Sequence, residues 1–269
     1  MSLPDPDSPA APRTWTKSAD RPLRSGRKSF GIWCMARALG VPVPWAAVRQ
    51  TDGAALLAFE HDRLVALAAA GERVPAVLAF DGQHLTTSDI GTTLDRWLDA
   101  AVPAERLPVM CSACADLAGF HARGQWHGGS QTRNLTWDGA RFARLDFEER
   151  LVPGMPLDLV QRYDALQLLL SMTRHLEPLG AGAVLQVLQA YARAGAGRVP
   201  DLCAGVEERR LCRHQLGLAE APDRDRPGVA VGAAGAGAGG DRHLRLVSAV
   251  RDAGHQHLQA QVVSVASPS

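Results

Sequence analysis

The segment from Asn134 to Asp146 constrains this chain more than any other. Asn134-Leu135-Thr136-Trp137 and Arg141-Phe142-Ala143-Arg144-Leu145 alternate around Asp138-Gly139, the strongest short hairpin signal a sequence offers. A hairpin brings its ends together, so Asn134 and Asp146 are expected to face each other across its base. An amide oxygen and a carboxylate placed side by side form a hard oxygen site of the kind Mg²⁺ accepts. The same residues have a plainer reading, because Gly, Asn and Asp fill turns for backbone reasons alone.

The surroundings predict an α+β domain. Ala58 to Ala70 reads as a helix that stops at Gly71, a typical glycine just past a helix end. Val74 to Phe80 and Gln83 to Thr87 flank Asp81-Gly82 as a second hairpin, followed by Ser88-Asp89-Ile90-Gly91 and a polar-capped helix over Thr92 to Leu98. Glu105 to Arg123 places Leu107, Met110, Cys114, Leu117 and Phe120 on one helical face, and Asp158 to Leu176 carries a similar stripe. The first of these helices runs into Trp126-His127-Gly128-Gly129, just before Asn134.

His127, Asn134 seven positions later and Asp146 at a strand end resemble the catalytic loop and metal-binding Asp of protein kinases. The order of elements is similar to that of the small atypical bacterial kinases related to lipopolysaccharide-core sugar kinases and to the compact serine/threonine kinase of the tRNA-modifying complex. Glu60, Arg63-Leu64, Leu67, Gly71 and Val74-Pro75 look like their helix-C segment. Asp89-Ile90-Gly91 looks like their interlobe linker, and His121-Ala122-Arg123-Gly124 before Trp126-His127-Gly128 looks like their approach to the catalytic loop. The resemblance covers roughly Thr14 to Gly197.

It implies a bilobal kinase-like fold, with a reduced N-terminal β lobe over residues 14–88 and a helical C-terminal lobe over 92–198. Carried over residue by residue, His127, Gly129 and Asn134 occupy the catalytic loop, and Asn134 and Asp146 are metal ligands. Lys17 and Glu60 form the phosphate-contacting pair, Ser88 and Asp89 border the nucleotide, and Asp164 supports the loop from a buried helix. The implied cofactors are ATP and Mg²⁺. The implied reaction is transfer of the γ-phosphate to a protein Ser/Thr hydroxyl or to an envelope sugar.

Two departures stand out. No G-x-G-x-x-G precedes Lys17, and Gly129 stands where kinases carry the Asp that receives the acceptor's proton. Glu148, Glu149 or Asp146 are the nearby carboxylates that could substitute, provided one comes within hydrogen-bond reach of the hydroxyl. A pseudokinase that binds nucleotide without transfer, and an α+β scaffold in which Asn134 and Asp146 merely cap turns, stand as alternatives.

Composition narrows the remaining classes. A formal net charge of +1 over 269 residues and 5% aromatics give no drive toward nucleic acid. The reading expects a cytoplasmic protein, because no stretch has the length of a membrane span and Met1 to Pro9 lacks a signal-peptide pattern. Phe30 to Leu39, edged by Arg27-Lys28, is expected to pack as a helix, with peripheral membrane contact as the alternative. Cys111 and Cys114 share a helix face, so reduced thiols are expected in preference to a metal site completed by Cys203 and Cys212. Residues 1–13 and the Gly/Ala-rich tail over 199–269 are expected to be disordered. The tail's Arg, Ala, Gly, His and Val runs also suit a shifted frame of a GC-rich gene, which resequencing would test.

Overall fold

The computed structural model describes residues 13–38, 41–151 and 154–195. The expected disorder of the N-terminus up to residue 12 and of the tail, and Cys203 and Cys212 of the disfavoured metal site, lie outside them. Within them the chain is a mixed α+β protein.

The N-terminal half is built on β1 (Thr14–Ser18), α1 (Gly26–Ala38), α2 (Trp45–Val48), α3 (Gly53–Ala69), β2 (Val77–Phe80) and β3 (His84–Ser88). The three strands form an antiparallel sheet in the order β1-β3-β2, with Lys17 opposite Leu85. A register irregularity between Val77 and Ala79 interrupts the β2 ladder. Helix α3 starts where Asp52 Oδ1 accepts the Ala55 N–H at 3.0 Å. It ends where Gly71, at φ +79°, lets Glu72 N–H reach Leu67 O and its own N–H reach Ala68 O. Leu57, Glu60, Leu64 and Leu67 recur every three or four residues and are buried, so one face of α3 is hidden, and all three strands pack against this helix. Glu60 is the single carboxylate in that apolar row.

The C-terminal half runs through α4 (Leu94–Ala100), α5 (Pro103–Ala122), β4 (Leu135–Trp137), β5 (Phe142–Arg144), α6 (Leu157–Leu176) and α7 (Ala181–Ala194). Helix α5 runs along α7 and touches α6, burying Met110, Ala113, Cys114, Leu117 and Phe120. Helix α6 is buried on most of its circumference, with Val160, Tyr163, Asp164, Leu168 and Met172 all inside. A helix hidden all round sits at the centre of its half.

The hairpin expected around Asp138-Gly139 forms, with Leu135 opposite Arg144 and Trp137 opposite Phe142. Its loop is four residues long, 138 to 141, where Asp-Gly favours two. Asp138 Oδ1 explains the longer turn, because it accepts both the Ala140 N–H at 2.9 Å and the Arg141 N–H at 2.8 Å. Thr92 O and Arg73 O accept the N–H groups of Trp137 and Arg144, at 3.1 Å each, and lace the hairpin to both halves.

Cys111 and Cys114 are free thiols one turn apart on α5. Burial pushes the Cys114 thiol well above its ordinary pKa, as suits a core residue. The Phe30 segment is helical, with Phe30 stacked on Trp33 and exposed to solvent. Among the described residues no helix is long and apolar enough to cross a membrane.

Candidate functional site

The loop between α5 and β4 is shaped by one buried carboxylate. Asp164, fully inaccessible on α6, accepts the His127 N–H at 2.6 Å and the Gly128 N–H at 2.7 Å. Two short charge-assisted hydrogen bonds to adjacent amides fix the turn. Gln167 Nε2 donates to Gly128 O at 3.3 Å, and Gln131 Nε2 donates to Gln167 Oε1 at 2.5 Å. Gly128 takes φ +87°, and a Cβ there would lie 2.8 Å from Glu149 Cβ, so backbone and space both demand glycine.

His127 is buried and stacks on Phe147 at 4.4 Å. Its Nδ1 accepts the Gly129 N–H at 3.2 Å, which places the ring proton on Nε2. Burial depresses its pKa to about 4, so it is a neutral fixture of the loop. Asn134 ends a 3₁₀ turn and donates through Nδ2 to Gly129 O at 2.9 Å, which leaves its Oδ1 as the acceptor end. Leu145 N–H reaches Asn134 O at 2.8 Å, so Leu145 is the residue opposite Asn134 and Asp146 is the next one along.

Asp146 meets the N-terminal half there. Lys17 Nζ lies 2.6 and 2.7 Å from the two oxygens of Glu60 and 2.5 Å from Asp146 Oδ1. Glu60 and Asp146 therefore share one cation, the Lys17 ammonium. Burial works against the charge on Lys17, but the Asp146 and Glu60 carboxylates outweigh it and raise its pKa. Burial likewise opposes ionisation of Asp146, and Lys17 overcomes it and lowers the carboxyl below its usual value. Asp146 adopts φ +67°, a conformation no other described residue except glycine takes. Asp tolerates that region better than most side chains, and such positions gather at functional sites.

Two further ion pairs extend the contact. Arg21 pairs with Glu148, which also accepts from Gln50 Nε2 at 3.0 Å, and Arg24 pairs with Glu149. Cations at 17, 21 and 24 thus meet carboxylates at 146, 148 and 149. Neither arginine was expected from sequence, and the only available signal was a basic run after β1 matched by an acidic run after β5. Glu60, Asp146 and Glu148 bring ligand oxygens within 4.8 Å of one another. All three are already ion-paired, Glu60 and Asp146 with Lys17 and Glu148 with Arg21.

Ser88 and Asp89 are engaged in local structure. Ser88 Oγ accepts the Ala76 N–H at 2.9 Å and Asp89 Oδ1 accepts the Gly91 N–H at 2.9 Å, and neither hydrogen bonds to the Lys17 cluster. Trp15, two residues before Lys17 and on the same face of β1, is 65% exposed. At Gly129, with no positive φ, a Cβ would meet Asn134 Nδ2 and Glu149 Cγ at 3.6 Å, which is ordinary contact. A cavity of about 290 Å³ opens between Pro44, Gln50, Leu56, Glu148, Glu149 and Arg150.

No family model matches the chain. Over 130 residues, 48% of its length, it is 29% identical to an uncharacterized protein of Haemophilus influenzae, and the match covers 48% of that protein. The chain therefore spans about half the length of the curated relative it matches.

Proposed function

We propose that this protein is an ATP-dependent phosphotransferase of protein-kinase-like, bilobal build, acting in the cytoplasm on a hydroxyl acceptor. The observation that carries the reading is the convergence of Glu60 and Asp146 on the Lys17 ammonium, with Asn134 bonded through its backbone to Leu145, the residue before Asp146. Phosphoryl transfer needs positioned charge more than covalent chemistry. Lys17, held by Glu60, would bind phosphate oxygens, and a cation so fixed stabilises transferred charge. Asn134 and Asp146 would hold Mg²⁺, and their oxygen donors fit its preference. The metal, when bound, neutralises charge on the phosphate oxygens. Asp164 would hold the loop still, and Trp15 offers an aromatic face for the base.

Transfer to a protein Ser/Thr side chain is the leading acceptor class, with an envelope sugar as its rival. The full chain should release ADP from ATP only with Mg²⁺, and Asp146→Asn should abolish the release. Gly129 favours one other reading, a pseudokinase that binds Mg-ATP and stops there. Binding without ADP release under every acceptor tried would select it.

A further inference from the structure

We propose that Glu149 supplies the carboxylate missing at Gly129 and receives the proton of the incoming hydroxyl, an assignment that rests on the phosphotransfer reading above. Gly128 and Gly129 differ in why they are glycine. Gly128 needs its positive φ, whereas Gly129 has no such need and has room for a Cβ. What lies beside that room is Glu149, with its Cγ 3.6 Å from the point where a Gly129 Cβ would stand. An Asp at position 129 would extend into the space the Glu149 side chain borders.

Three further features suit Glu149 to the role. Arg24 grips its carboxylate and also donates to Val48 O at 3.2 Å, so the side chain is anchored to the N-terminal half. Gly129 O, through Asn134 Nδ2 at 2.9 Å, connects the same loop to the proposed metal ligand. Glu149 also lines the cavity of about 290 Å³, where Gln50, Thr51, Asp52 and Arg150 give polar walls suited to a hydroxyl-bearing acceptor. Glu148 and Asp146 are ion-paired as Glu149 is, with Arg21 and with Lys17, and what sets Glu149 apart is that it alone of the three is among the groups nearest the Gly129 Cβ position.

In the step itself the acceptor oxygen bonds to the γ-phosphorus as the bond from that phosphorus to the β,γ-bridging oxygen breaks. The electron pair of the broken bond leaves on ADP, and the hydroxyl proton passes to a Glu149 carboxylate oxygen and then to solvent. Removing a positioned base costs roughly 10²-fold or more in rate.

The test uses the full chain with Mg-ATP, water serving as acceptor, and reads both nucleotide-induced thermal stabilisation and ADP release. Glu149→Gln should keep the stabilisation and lose about 100-fold in ADP release. Adding Gly129→Asp to Glu149→Gln should restore release to within about tenfold of the parent. Unchanged release in Glu149→Gln would overturn the assignment, as would a loss that Gly129→Asp does not rescue. Wild-type protein that is stabilised by Mg-ATP yet releases no ADP would overturn it as well. Wild-type protein that Mg-ATP does not stabilise would remove the underlying nucleotide reading too, and this separates the two failures.

Discussion

Asp164 and Asp146 are held in opposite ways. Asp164 is fully buried, and its two oxygens are spent on backbone amides of His127 and Gly128. Asp146 is about one-third exposed, sits at φ +67°, and is tied down by a lysine that also serves Glu60. The first arrangement leaves nothing for a ligand and much to lose on unfolding. The second trades backbone ease for a partly exposed carboxylate held by an ion pair rather than by backbone amides. Buried, fully satisfied groups specify structure, and strained, partly exposed ones are where binding is built.

If that contrast is right, Asp164→Ala should have the largest structural effect. It strands two buried N–H groups, and stability in a urea titration should fall by about 4 kcal/mol. A fall under about 1 kcal/mol would mean the loop does not depend on this seat.

Acidification strains the same side of the comparison. Above pH 6.5 His127 is neutral both folded and unfolded, so it contributes nothing to the pH dependence. As pH falls from 6.5 toward about 4, the unfolded chain takes up a proton that native His127 refuses, and stability drops. Below about 4 the loss levels off near a total of about 3 kcal/mol. Denaturant midpoints at pH 7 and pH 4.5 should therefore move closer together in His127→Gln than in the wild type.

The two glycines give a sharper pair. Gly128→Ala should cost about 2 kcal/mol, from its positive φ and the collision with Glu149 Cβ. Gly129→Ala should stay within about 0.5 kcal/mol, since its Cβ finds ordinary contact distances. Equal melting temperatures for the two variants would break the distinction on which the assignment of Glu149 depends.

A small structural change also belongs to Asp146→Asn. Asn tolerates the left-handed region as Asp does, and the Lys17–Glu60 contact survives, so unfolding should shift by less than about 1 kcal/mol. A much larger loss would make Asp146 a structural residue and erase its contrast with Asp164.

How much of this was legible before the structure follows the range of each interaction. The β4–β5 hairpin, the glycine stop of α3 and the stripes of α5 and α6 are local patterns, and each element forms where its residues indicate it. The nearness of Asn134 and Asp146 follows from the hairpin alone. The meeting of Lys17, Glu60 and Asp146 spans 129 residues, and only a resemblance to kinases brought those three into view. The pairs of Arg21 with Glu148 and Arg24 with Glu149 were hidden, because ion pairs across that distance impose no periodicity on either segment. The hairpin loop is one residue longer than the three left between Trp137 and Arg141, because the Asp138 side chain takes up the N–H groups of Ala140 and Arg141. In α7, Val184, Val187 and Tyr191 form a buried stripe diluted by alanine and glycine.

The central claim is that the Lys17, Glu60, Asn134 and Asp146 cluster binds Mg-ATP, and thermal denaturation of the full chain against rising ATP tests it most directly. Binding to the native state should raise the melting temperature with nucleotide concentration. The account predicts a rise that requires Mg²⁺, disappears on chelation and is absent in Asp146→Asn, whose own melting temperature stays near that of the wild type. A well-folded wild-type protein whose melting temperature ignores Mg-ATP, or a rise that Asp146→Asn retains in full, would contradict it.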